Sequence, residues 1–201
     1  MKKIAIDVVV LLPEKVTEKV IELNREIVEG TSGGIILDRE DFVPHISLCM
    51  GVVREEDLGE IEIILREILE KFEEFHLDVE GIESRTNPLG KTSYRLEIAE
   101  NDDLHKLHEE IARQLKPFLQ EKASEENFVL PLRFKELTIK WVEEYFETSA
   151  FEKFRTHVSL GFGKFDKELS PFSFSSSKLA VFQLGEYCTC RRKLLGLDTS
   201  C

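Results

Sequence analysis

Long apolar runs are missing from this chain. The longest unbroken one is Val8 to Leu12, far short of the roughly 20 residues that a membrane-spanning helix needs. The opening MKKIAIDVVVLLPEK turns acidic without a small-residue cleavage site, so neither export nor membrane insertion is expected. Cysteine is scarce as well. Cys49, Cys188, Cys190 and Cys201 are too few for a disulfide framework, and the Cys-x-Cys at 188 and 190 lacks the Cys-x-x-Cys spacing of common zinc sites. They read as reduced thiols of a cytoplasmic protein. Positive charge is also in deficit: 27 basic against 39 acidic residues give a formal net charge of −12. A protein that coats long nucleic acid carries a basic stripe to displace counterions, and none is found here. Any polyanionic ligand would therefore be gripped at one end or as a small fragment, against a long-range repulsion.

What is present suits one substantial core. With 201 residues, 42% of them hydrophobic, and no clear linker, residues 1–201 are expected to form one unit of two lobes. The β-branched segment Ile4 to Leu12 reads as a buried strand. Pro13 then begins a helix with the stripe Val16, Val20, Leu23, Ile27, ended by Gly30 and the TSGG turn at 31–34. A short strand at Ile35 to Leu37 is expected next, then a strand over Pro44 to Val53 and a helix over Arg54 to Phe75 with the stripe Ile61, Ile64, Leu65, Ile68, Phe72. A second round follows: a strand near Leu77 to Ile82, the turn TNPLG at 86–90, a strand at Ser93 to Ala99, and a helix capped near Asn101 or Asp102 that buries Leu104, Leu107, Ile111 and Leu115. Glu121 to Asn127 reads as a loop, Leu137 to Phe146 as a helix and Phe154 to Gly163 as a strand, with Phe172 to Leu184 and Cys190 to Leu197 as two closing strands. Strands and helices alternating with hairpin-like pairs indicate an α+β protein rather than a doubly wound one.

The two halves share a motif. Pro44 to Gly51 reads PHISLCMG and Thr156 to Gly163 reads THVSLGFG, with His45/His157, Ser47/Ser159, Leu48/Leu160 and Gly51/Gly163 identical. Each copy ends a unit that begins with a strand followed by a helix, and such self-similarity suggests two related lobes. Side chains two apart on a strand share a face, so His45 and Ser47 point one way while Ile46 and Leu48 point the other. His157 and Ser159 repeat the arrangement. The apolar partners can enter the core and leave imidazoles and hydroxyls to line a cleft.

Those residue types suit phosphoryl chemistry. An in-line displacement at phosphorus needs a base on the nucleophile and an acid on the leaving oxygen, and imidazole, with an ordinary pKa near 6.5, can be either near neutral pH. The Ser47 and Ser159 hydroxyls can donate to the non-bridging oxygens. A lone His-x-Ser on a strand is usually structural; of the five histidines, only His45 and His157 carry the repeat.

These two motifs resemble those of the 2H phosphoesterase superfamily, most closely its 2′-5′ RNA ligase and cyclic phosphodiesterase branch. The resemblance rests on His45-Ile46-Ser47 and His157-Val158-Ser159 with their apolar flanks, and on the strand-helix order of most of the chain. Both motifs carry Ser where many members have Thr, which keeps the hydroxyl donor. The resemblance implies a bilobal α+β fold in which pseudo-two-fold duplicated strand-helix units and antiparallel sheets flank a central cleft. It also implies a metal-independent enzyme, without cofactor, that hydrolyses 2′,3′-cyclic phosphates to 2′-phosphates or forms 2′-5′ phosphodiester bonds. His45 would be the general acid and His157 the general base, with Ser47 and Ser159 binding substrate, a small nucleotide or an RNA terminus. A monomer is expected. The alternative is a non-catalytic module that holds a nucleotide or RNA end in the same cleft.

Other groups read more plainly. His105 and His108, three apart on a helix, could form one edge of a metal site, but Leu104, Leu107 and Ile111 claim the buried face. Tyr94, Arg95, Arg191, Arg192 and Lys193 could reach phosphate or ribose and read as a solvated face. Phe151 and Phe154 could stack on a base but read as core, and Cys49 reads as small and packed.

Overall fold

The computed structural model describes residues 1–31, 34–72, 74–86, 90–120 and 122–198. Its elements are β1 (Lys3–Leu11), α1 (Glu14–Val28), β2 (His45–Arg54), α2 (Leu58–Leu69), β3 (Phe75–Thr86), β4 (Thr92–Ile98), α3 (Asp102–Leu115), α4 (Lys135–Glu143), α5 (Tyr145–Thr148), β5 (His157–Phe162), β6 (Phe172–Ser176), β7 (Lys178–Leu184) and β8 (Cys190–Asp198). Two antiparallel four-stranded sheets result, ordered β2-β1-β7-β8 and β5-β4-β3-β6. The two motif strands, β2 and β5, are both edge strands, and they contact each other across the two sheets.

The halves exchange helices. α1, from the first half, packs on β5 of the second sheet, while α3, from the second half, packs on β2 of the first. The apolar stripes explain the docking: α1 buries Val16, Val20, Ile21 and Ile27, and α3 buries Leu104, Leu107, Ile111 and Leu115. Truncating one of these leucines to alanine costs about 2–5 kcal/mol. One buried cluster runs through both sheets and the helices between them. The Asn101 side chain accepts from the Leu104 N–H and caps α3, as its sequence position predicts.

Several expectations change. Ile35 to Leu37 is no strand: the Ile35 carbonyl and the Leu37 N–H are bound by the side chain of Asn24 rather than by a ladder. The helix expected over Arg54 to Phe75 is shorter, because Arg54 closes β2, a 3₁₀ turn takes Glu55–Asp57, and Phe75 opens β3. Leu137 to Phe146 divides between α4 and α5, and Phe172 to Leu184 between β6 and β7. That last break, at Ser177, moves the chain from one sheet to the other; beside it the Ser176 hydroxyl donates to the Leu11 carbonyl of β1. The inner residues of the TSGG and TNPLG turns, and Cys201, lie outside the described residues.

The repeat extends beyond the motif residues. In β2, Val8 faces Cys49 and Val9 faces Ser47, so Leu48 has no opposite number on β1. In β5, Tyr94 faces Gly161 and Arg95 faces Ser159, so Leu160 is skipped in the same way. Each motif thus carries a β-bulge directly after its His-x-Ser. The glycine ending each copy also has a packing reason: a Cβ on Gly163 would collide with the Ile27 carbonyl, and one on Gly51 would collide with the Leu119 side chain.

Candidate active site

Both histidines are the first residue of their strand, and both are fixed by the same local bond. His45 Nδ1 donates to the Val43 carbonyl at 2.7 Å, and His157 Nδ1 donates to the Arg155 carbonyl at 2.9 Å. A carbonyl only accepts, so Nδ1 carries the hydrogen and Nε2 keeps the free lone pair in each neutral ring. Ile46, Leu48, Val158 and Leu160 are fully buried, and His45, Ser47, His157 and Ser159 are not. The alternation expected from sequence therefore holds in both copies. The rings are close enough that the charge of His157 lowers the pKa of His45.

Burial is the larger influence on both. It pulls His45 down to about 4, against the Val43 hydrogen bond. It also lowers His157, and the positive charges of Arg95 and Arg85 act in the same direction. Both rings are accordingly neutral in the free protein near pH 7.

The residue that sequence reasoning missed is Asp7. It lies in the middle of β1 with no exposed surface, and a lone acid within an otherwise apolar strand, IAIDVVVLL, was the available signal. The Ser47 hydroxyl donates to Asp7 Oδ2 at 2.6 Å, and His45 Nε2 stands 3.7 Å from the same oxygen. Burial raises the Asp7 pKa well above the usual carboxylate range, while the Ser47 hydroxyl and the Cys49 N–H pull it down. Burial pushes the carboxyl up and the imidazole down, so it works against an ion pair at the His45–Asp7 contact. The two serines also differ: Ser47 is aimed at Asp7, whereas Ser159 is exposed and faces Arg95 across the ladder. Arg95 Nε donates to Glu83 Oε2 at 2.8 Å.

The remaining candidates fall into place. His108 is buried and stacks on Phe154 at 4.0 Å, so the buried face of α3 includes a histidine that its leucine stripe did not reveal. Its Nδ1 donates to the Leu48 carbonyl at 2.7 Å, and its Nε2 accepts from the Phe151 N–H at 2.7 Å. Neither it nor His105 belongs to a potential metal-ligand group among the described residues. Arg191 lies over the Phe42 ring, Arg192 reaches Glu55 at 3.8 Å, and the Tyr94 hydroxyl accepts from the Phe165 N–H. Cys49 is buried and its thiol is held neutral. A surface cavity of about 510 Å³ is formed by Arg133, Phe134, Lys135, Glu136, Leu137 and Lys140; Phe134 packs on Tyr187, which in turn meets Phe162 of the second motif. No described helix is long and apolar enough to cross a membrane.

Comparison with known proteins identifies the family and the fold. Residues 38–179 match the 2'-5' RNA ligase superfamily. No match is found among individually curated proteins. Among solved structures, TT0787 of Thermus thermophilus superposes with a TM-score of 0.63 at 15% identity, covering 98% of each chain. E. coli LigT complexed with NADP+ does so at 0.56 and 10% identity, again over 98% of each chain. E. coli LigT complexed with 3'-AMP gives 0.55 and 11% over 100% of each. At such identities these likenesses concern the fold.

Proposed function

The chain belongs to the 2'-5' RNA ligase superfamily, and from that premise we propose that it is a phosphoesterase opening 2′,3′-cyclic phosphates of small nucleotides or RNA ends to 2′-phosphates, or catalysing the reverse 2′-5′ ligation. The observation that carries the reading is the pair of histidines with matched tautomers. Each presents a free Nε2, on strands that meet across the two sheets. Residues 1–201 act as one bilobal unit in this reading.

In hydrolysis, His157 Nε2 takes a proton from water as the water oxygen attacks phosphorus, and His45 Nε2 gives a proton to the departing 3′-oxygen. The P–O3′ bond breaks and a 2′-phosphate remains. Ligation exchanges the roles. One ring must be protonated for this, and the negative phosphate supplies the means, since a nearby anion raises a histidine pKa. Ser159 donates to the non-bridging oxygens, and Ser47 does so by turning its one hydroxyl hydrogen from Asp7 to the phosphate. Two imidazoles supply both acid and base, so the chemistry needs no metal. Nucleotide complexes of E. coli LigT support a nucleotide-sized substrate for this chain.

The test is a screen of 2′,3′-cyclic nucleotides, RNA with a cyclic end and 2′-5′-linked oligonucleotides in excess chelator, with product isomers resolved. The expected product is the 2′-phosphate, with activity undiminished by EDTA. Formation of the 3′-phosphate, or activity restored only by a divalent ion, would contradict the mechanism. Binding without turnover of any substrate would favour the non-catalytic module.

A further inference from the structure

The first sheet curls until its two edges meet. β2 and β8 stand at opposite ends of the order β2-β1-β7-β8, yet the Val43 N–H, just before β2, donates to the Cys190 carbonyl at the start of β8 at 3.3 Å. Inside the curl, a carboxylate oxygen of Asp7, an imidazole nitrogen of His45 and the Cys190 thiol lie within 4.8 Å of one another. A second observation points at the same place: Asp7 Oδ1 is buried and accepts no hydrogen bond of normal geometry, the Cys49 N–H only approaching the carboxyl, an arrangement costly unless something occupies it.

We propose that Asp7, His45 and Cys190 form a binding site for a thiophilic divalent cation, Zn²⁺ foremost, and that its occupation switches off the chemistry of the cleft. His45 Nδ1 is committed to Val43, so Nε2 is the ligand nitrogen, the same lone pair that acid-base catalysis uses. Metal-ligand bonds of about 2.0–2.3 Å place the ligands of a tetrahedral ion roughly 3.3–3.7 Å apart, so binding draws these groups in by little more than about 1 Å. A thiol among the ligands selects Zn²⁺ or Co²⁺ over Mg²⁺ and Ca²⁺. On binding, Asp7 and Cys190 each release one proton to solvent, and the resulting carboxylate and thiolate balance the two charges of the ion. Three protein ligands leave a fourth position for water. The inhibitory part of the proposal rests on the phosphoesterase reading; the binding part does not.

The experiment titrates EDTA-treated, desalted protein with Co²⁺ and follows absorption, then repeats the titration with Cys190→Ala after circular dichroism has verified its fold. Wild type should develop thiolate-to-cobalt charge transfer and tetrahedral ligand-field bands, displaced by Zn²⁺ and lost in Cys190→Ala. In parallel, Zn²⁺ should inhibit cyclic-phosphate turnover reversibly. Cys190→Ala should be active in EDTA and need at least about tenfold more Zn²⁺ for half-inhibition, the loss that even an outer-shell change produces. Should Cys190→Ala not fold, the near-isosteric Asp7→Asn serves for the cobalt comparison. No cobalt bands, equal bands in wild type and variant, or unchanged Zn²⁺ potency in Cys190→Ala would overturn the proposal. A protein that turns over no substrate yet binds Co²⁺ through Cys190 would sink the enzymatic reading and leave the metal site standing.

Discussion

Asn24 on α1 and His108 on α3 fill equivalent slots. Asn24 Nδ2 donates to the carbonyl of Leu160 at 2.8 Å, and His108 Nδ1 donates to the carbonyl of Leu48 at 2.7 Å. Each is a fully buried polar residue on the exchanged helix, and each holds the bulged leucine just after the other half's His-x-Ser. Each also fastens the segment that follows later in its own half: Asn24 holds Ile35 and Leu37, and His108 holds Phe151. A bulge leaves a residue unpaired on the neighbouring strand, and its buried carbonyl needs a donor.

From this follows a ranking of stability effects. Asn24→Leu keeps the branched shape but orphans the Leu160 and Ile35 carbonyls and the Leu37 N–H. His108→Phe keeps the stack on Phe154 and orphans only the Phe151 N–H, because the Tyr145 hydroxyl still serves Leu48 at 2.8 Å. With about 1–3 kcal/mol for each buried group left unpaired, urea unfolding should show the larger loss for Asn24→Leu. In both variants kcat should fall more than KM rises. Equal, near-zero losses would mean that the bulges hold themselves.

The histidines set the pH profile. His45 lies at about 4 and His157 is lowered from its ordinary value. The active form has one ring protonated and the other neutral, so kcat/KM peaks between the two free-enzyme values whichever ring is the acid. A bell with its maximum on the acid side of 6.5, the ordinary histidine value, falling toward pH 8, is expected in initial-rate measurements. A maximum at pH 8 or above would disprove it.

Asp7 has the opposite sign. Its folded-state pKa is raised, so its favourable contribution is complete below the unfolded value, near 3.9, and is lost as pH rises through the folded value. Asp7→Asn stays neutral and can still accept from Ser47. Its melting temperature should exceed that of wild type at pH 8, with the gap closing toward pH 4. A variant less stable than wild type at pH 8 and equal at pH 4 would show that the charged carboxylate is the favoured form.

The repeat made the centre of the site legible before any coordinates, because a two-residue strand period puts His45 with Ser47 and His157 with Ser159 on one face. The bulges at Leu48 and Leu160 begin only after those pairs, so they leave that inference intact. What pattern could not show depended on register and on contacts far along the chain. Apolar periodicity reads Phe172 to Leu184 as continuous, since the change of sheet at Ser177 has buried apolar residues, Phe174 and Leu179, on either side of it. The Ile35 to Leu37 segment has the composition of a strand but is held by a side chain. His108 and Asn24 interrupt apolar stripes as ordinary polar residues, and only the exchange of helices reveals the carbonyls they serve. Asp7 was visible as an anomaly in β1, but its partner Ser47 is known only once β1 and β2 are paired.

The most direct test of the paired-histidine mechanism is the single-turnover rate of His45→Ala and His157→Ala on a 2′,3′-cyclic phosphate in EDTA, with folding verified by circular dichroism. Each substitution should lower the chemical step by about 10² to 10⁴, and the double variant should be scarcely slower than the poorer single one, because the two groups act as a unit. A folded His157→Ala protein that retains the full single-turnover rate would contradict the mechanism.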